Sequence, residues 1–240
     1  MPATPSRWLL ACVGVVGAAA WALLAAGSNL HGPHANPAGI AGFGAAVLFW
    51  FIMMVAMMLP VLWPWLSLFG AMAPRAYPGR SPKRLLAQFG AGYFVVWLGY
   101  SVAAATLQSV LQQFGLLRLD LAVATAIGGG VLLAAGIFQL TPLKDACLSH
   151  CRNPLTFFLA RWDGGPSGPF YMGARHGVFC LGCCWALMAL AFAAGVMNLL
   201  WMAAITVMLV AEQRAPRSWR LRQVFGAGLV AWGATLLLSG

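Results

Sequence analysis

The chain has 240 residues, of which 62% are hydrophobic and only 8% charged, with a mean hydropathy of +0.84. A water-soluble domain carries about 25% charged residues, so this composition excludes a water-facing surface over the whole chain and leaves the lipid bilayer as its solvent. The net charge of +10 does not indicate nucleic acid, because the basic residues fall in short clusters between apolar runs, as cytoplasmic loops do under the positive-inside rule.

Seven apolar runs follow one another, at about 8–27, 42–70, 85–112, 122–140, 177–195, 199–213 and 225–240. They predict an all-α fold, a polytopic transmembrane helical bundle of about seven spans forming a single domain over 1–240. The first run follows Arg7 and resembles the apolar core of a signal peptide. At ~20 residues it is long enough to cross the hydrocarbon core and is read as a retained first span. After it come His31 and His34, a pair that suits external metal capture, although incidental histidines in a solvated loop are the plainer reading.

The second run contains Met53, Met54, Met57 and Met58 ahead of Pro60. Met53/Met57 and Met54/Met58 are overlapping pairs four residues apart, each placing two thioethers one helical turn from one another. Thioethers favour Cu(I), while methionine also fills irregular gaps in cores. Pro60 lacks an N–H and is expected to kink the helix just beyond them.

The longest connection, about 141–176, opens on Thr141-Pro142, a cap followed by proline at the first helical position. A short helix through about Arg152 is expected, and Asp163-Gly164-Gly165-Pro166 is a turn signal. The uncharged stretch from Gly177 to Ala211 would be ~50 Å long as one helix. A break at Gly195-Val196-Met197-Asn198 divides it into two spans.

That division puts Arg7, then Arg75, Arg80, Lys83 and Arg84, then Lys144, Arg152, Arg161 and Arg175, then Arg214, Arg217, Arg220 and Arg222 on one side, leaving only Arg118 opposite. The N-terminus is therefore expected to be cytoplasmic and the C-terminus extracytoplasmic.

Five of the six cysteines lie in two short segments. Cys147 and Cys151 are one turn apart with His150 beside them; His176, Cys180, Cys183 and Cys184 follow at helical spacing. The expected topology places both segments at the cytoplasmic boundary, one after the fourth span and one opening the fifth. Thiolate and imidazole suit soft or borderline metals, with copper favoured and zinc or iron–sulfur also compatible. Lys144, Arg152 and Arg175 nearby, and the helix N-terminus before Cys147, favour thiolate over thiol. The spacing matches no zinc-ribbon or ferredoxin pattern. The alternative is that the thiols pack as small buried hydrophobes, the reading adopted for the isolated Cys12. Disulfides do not suit a reducing compartment.

The four carboxylates, Asp120, Asp145, Asp163 and Glu212, all map to span ends or loops. A carrier driven by protons or sodium keeps an ionisable group inside a span, and paired-carboxylate chemistry needs two. Neither is expected here.

Three segments together resemble a known bacterial family: Met-Met-Val-Ala-Met-Met-Leu-Pro from Met53, Gln-Leu-Thr-Pro-Leu-Lys from Gln139 running on through Cys147 and Cys151 to Pro154, and Gly-Ala-Arg-His176 through Cys180, Cys183 and Cys184 to Met188. The resemblance is to the domain-of-unknown-function family 2182, described as predicted metal-binding integral membrane proteins. It implies a metal site at Cys147, His150, Cys151, His176, Cys180, Cys183 and Cys184, with the methionines as a second candidate, and supplies no substrate.

Three functions are open at this level. The leading one is Cu(I) handling, by transport or by delivery to a partner enzyme. The second is a subunit or assembly factor of a membrane oxidoreductase, with a fixed Cys/His centre or a Cys180/Cys183 redox dithiol. The third is a structural scaffold. Partners accordingly comprise the lipid bilayer and a partner membrane subunit or metalloenzyme, and an enzyme acting alone is not expected.

Overall fold

The computed structural model describes residues 7–30, 40–117, 125–195, 198–216 and 219–239. His31 and His34 lie outside these. The described residues form nine α-helices and no sheet: α1 (Arg7–Leu30), α2 (Ile40–Ala76), α3 (Pro82–Gln113), α4 (Thr125–Leu140), α5 (Pro142–Arg152), α6 (Pro154–Arg161), α7 (Gly168–Ala194), α8 (Leu199–Arg214) and α9 (Leu221–Ser239).

Five helices, α1, α2, α3, α7 and α9, are long and apolar enough to cross a membrane, and α4 with α5 makes a sixth if that pair, bent by 66°, counts as one span. This differs from the seven expected. Among the described residues, the fourth and sixth runs are helices of 16 residues each, about 24 Å at 1.5 Å per residue against a core of about 30 Å.

The fold is centred on α7, which packs against α3, α4, α5 and α8, while α1 lies on α2 and α9 on α4. Backbones meet closely at glycines, as membrane helices do. A Cβ on Gly92 of α3 would collide with the Phe170 carbonyl, and one on Gly173 of α7 with the Phe89 carbonyl. Gly136 and Gly226 play the same part between α4 and α9.

Helix ends follow the local signals. The Thr141 hydroxyl accepts from the Lys144 amide, with Pro142 at the first turn of α5. Asn153 precedes Pro154, a position disfavouring helical backbone, so α5 stops there and α6 restarts. The Gly165 amide donates to the Asp163 carboxylate within the expected turn. Gly195 ends α7 at φ +89°, and the Asn198 side chain caps α8 by accepting from the Trp201 amide. α2 continues through Pro60 and Pro64. Pro64 has no N–H to offer the Pro60 carbonyl, and Arg214 from α8 donates to that oxygen instead, at 3.4 Å.

Candidate metal centre

α5 is amphipathic and short, and it turns inward from α4 to lie against the middle of α7. Cys151 stands in its last turn, where carbonyls lack intrahelical partners. The Trp65 indole donates to the Cys151 carbonyl at 3.3 Å, which fixes the end of α5 against α2. On α7, Cys180 and Cys183 bring their sulfurs to Cys151, and Cys184 stands beside Cys183.

The result is a compact sulfur cluster. The sulfurs of Cys151, Cys180 and Cys183 all lie within 4.8 Å of one another, and all three residues are buried. Cys151 and Cys183 are 3.7 Å apart, and Cys184 stands 3.2 Å from Cys183. Sulfurs bound to one metal at about 2.3 Å stand roughly 3.8 Å from each other in tetrahedral geometry, so the donor set is spaced for a shared ion. The Tyr93 hydroxyl lies 3.1 Å from the Cys180 sulfur.

Cys147 sits one turn before Cys151 and is only partly buried. Its sulfur lies where Gly182 leaves room: a Cβ there would be 3.1 Å away. The two histidines behave differently from the thiols. His150 stacks on Phe179 at 4.4 Å and its Nδ1 contacts the Ala146 carbonyl. His176 is buried, stacked on Trp65 at 3.6 Å with Tyr93 at 5.2 Å, and its Nε2 has no hydrogen-bond partner. Neither belongs to the close sulfur group. Met53, Met54, Met57 and Met58 are fully buried in α2.

Two expectations change. α7 begins at Gly168, well before Gly177, so the cysteines stand about midway along the helix rather than at its opening. The reason is that Gly168–His176 is helical although its Arg175 is charged, and Arg175 is exposed.

The carboxylate reading also changes. Glu212 is 1% exposed and pairs with Lys144, itself 0% exposed, at 2.7 Å. The Gln139 amide donates to the other carboxylate oxygen at 2.8 Å, and Lys144 donates to the Gln139 carbonyl oxygen. Arg152 donates to the Glu212 main-chain carbonyl, and Arg222 to the carbonyls of Gln139 and Thr141. Glu212 lies in the last turn of α8, the span end expected for it, and what the structure adds is that its carboxylate is buried there. Sequence reading missed this network because Lys144 and Glu212 are 68 residues apart.

No curated protein and no solved structure matches the chain. A family model described as PpoB2, copper chaperone, matches residues 47–236, a region containing every cysteine of the cluster, the methionines and the buried ion pair. The chain belongs to the PpoB2 copper chaperone family.

Proposed function

We propose that the protein binds Cu(I) at Cys151, Cys180 and Cys183 and passes it to a partner protein, the chain being embedded in a bacterial inner membrane. The observation that carries this reading is the trio of buried sulfurs within 4.8 Å of one another. Copper is the cargo here, and three thiolates are a soft donor set suited to it. Cys184 supports the trio from 3.2 Å. Cys147 is the exchange thiol, since hand-over between proteins needs a sulfur that a partner's ligand can reach and Cys147 is the partly exposed member. His150 and His176 orient the helices around the cluster.

In the membrane, all seven apolar runs cross, with the short α4 and α8 accommodated by the bundle, and the basic connections face the cytoplasm. The copper of the purified full-length chain, measured by elemental analysis, tests the proposal. The expected result is Cu(I) retained by the native protein and lost when Cys151, Cys180 and Cys183 are replaced by serine. A native protein that binds no Cu(I) under reducing conditions overturns it.

A further inference from the structure

Two ring contacts set the register of α2 against α7. Trp50 meets Phe192 with ring centroids 5.0 Å apart, and Trp65 stacks on His176 at 3.6 Å. Between these contacts α2 advances fifteen residues while α7 recedes sixteen, so the two helices run antiparallel past each other, bridged by side chains rather than by close backbone approach. Four residues on from Trp50 is Met54, and four back from Phe192 is Met188. Eight on is Met58, and eight back is Cys184.

The faces agree with the register. Trp50, Met54, Met57 and Trp65 fall on one side of a helix with 3.6 residues per turn, and Met58 adjoins Met57. His176, Cys180, Cys184, Met188 and Phe192 form an unbroken i, i+4 ridge along α7. Met54, Met57, Met58, Met188 and Cys184 are each 1% exposed or less. Met53 falls to the flank of this face.

We propose that Met54, Met57, Met58 and Met188 form a second soft-metal site, an all-thioether step for Cu(I) that adjoins Cys184 and, through it, the thiol cluster. The proposal rests on reading that cluster as a Cu(I) site. Sulfur then continues from the Phe192 half of α7 to its middle, where Cys184 is 3.2 Å from Cys183 and Cys183 is 3.7 Å from Cys151. The cluster is thus reached from two directions, through Cys147 at one and through methionines at the other. Thioethers carry no proton at any working pH, whereas thiolates must lose one to bind. The two sites are therefore separable by acid as well as by mutation. Thioethers also select Cu(I) and Ag(I) over zinc.

The test is Cu(I) titration of the detergent-purified full chain against a colorimetric Cu(I) chelator, repeated with Ag(I). Four forms are compared: native, the leucine variant M54L/M57L/M58L/M188L, the serine variant C151S/C180S/C183S, and the two combined. Leucine conserves the volume of methionine closely, and helical circular dichroism checks that each form is folded. The native chain is expected to bind a tight equivalent and a weaker one, and the leucine variant to lose only the weaker. The serine variant is expected to keep the weaker equivalent, unchanged under mild acid, and the combined variant to bind none. A leucine variant matching the native titration, or a serine variant with no residual Cu(I), overturns the thioether site while leaving the cluster standing. A serine variant matching the native titration overturns the cluster reading instead.

Discussion

Each sulfur of the cluster occupies a distinct environment, and single substitutions are expected to separate them. Serine at Cys151, Cys180 or Cys183 removes one of three converging donors and should weaken Cu(I) binding at least about tenfold, about 1.4 kcal/mol, as read by chelator competition. Serine at Cys147 should leave that equilibrium nearly unchanged and slow transfer to a soluble thiol acceptor, measured by stopped flow. Equal loss of affinity on replacing Cys147 would make it a structural ligand. Gly182 is expected to matter for the same reason. Its missing Cβ would lie 3.1 Å from the Cys147 sulfur, so Gly182→Ala should displace Cys147 and alter exchange more than affinity. Most of this site was legible in the sequence, because helical spacing groups Cys147 with Cys151 and His176 with Cys180 and Cys184. Which sulfurs converge was not, since that depends on where α5 crosses α7. The separate roles of the histidines were hidden for the same reason: His176 stacks on Trp65, a residue more than a hundred positions away.

At the scale of helices, two contacts hold the elements that present the sulfurs. The Lys144–Glu212 pair joins α5 to α8, and Gln139 ties α4 to both. Removing one partner leaves a buried charge without its counter-ion, so Glu212→Ala should cost about 3–5 kcal/mol, seen as a lower melting temperature. Replacing both residues together by apolar ones of similar size should cost much less. The second contact is the close approach of α3 to α7. Gly173→Ala places a methyl group against the Phe89 carbonyl and should destabilise by about 1–3 kcal/mol, again read by thermal unfolding. The helix breaks were legible: Thr141-Pro142 and the Gly195–Asn198 region each mark one. The start of α7 was not. A charged residue on the exposed side of a helix does not end it, and hydropathy alone places the boundary at Gly177.

For the whole molecule, the sequence announces an apolar helical bundle through composition alone, and the described residues form helices joined by short connections, with no sheet. Counting the crossings is harder, because a 16-residue helix satisfies its own hydrogen bonds whether or not it spans a bilayer. Seven crossings place the two ends of the chain on opposite sides, whereas six place them on the same side. Topology reporters fused in turn to each end are expected to report opposite sides, the N-terminal one cytoplasmic.

The shortness of α5 has a further consequence. It spans eleven residues between two prolines, Pro142 at its own first turn and Pro154 at the next helix, and isolated helices of that length are marginal on propensity alone. Its order depends on what it is fastened to, and a metal bridging Cys151 to Cys180 and Cys183 would be a third fastening beside Trp65 and Glu212. Loading would then be written into local opening rates. The amides of α5 should exchange with deuterium faster than those of α7 in the empty protein, and fall to comparable rates once the thiols share an ion.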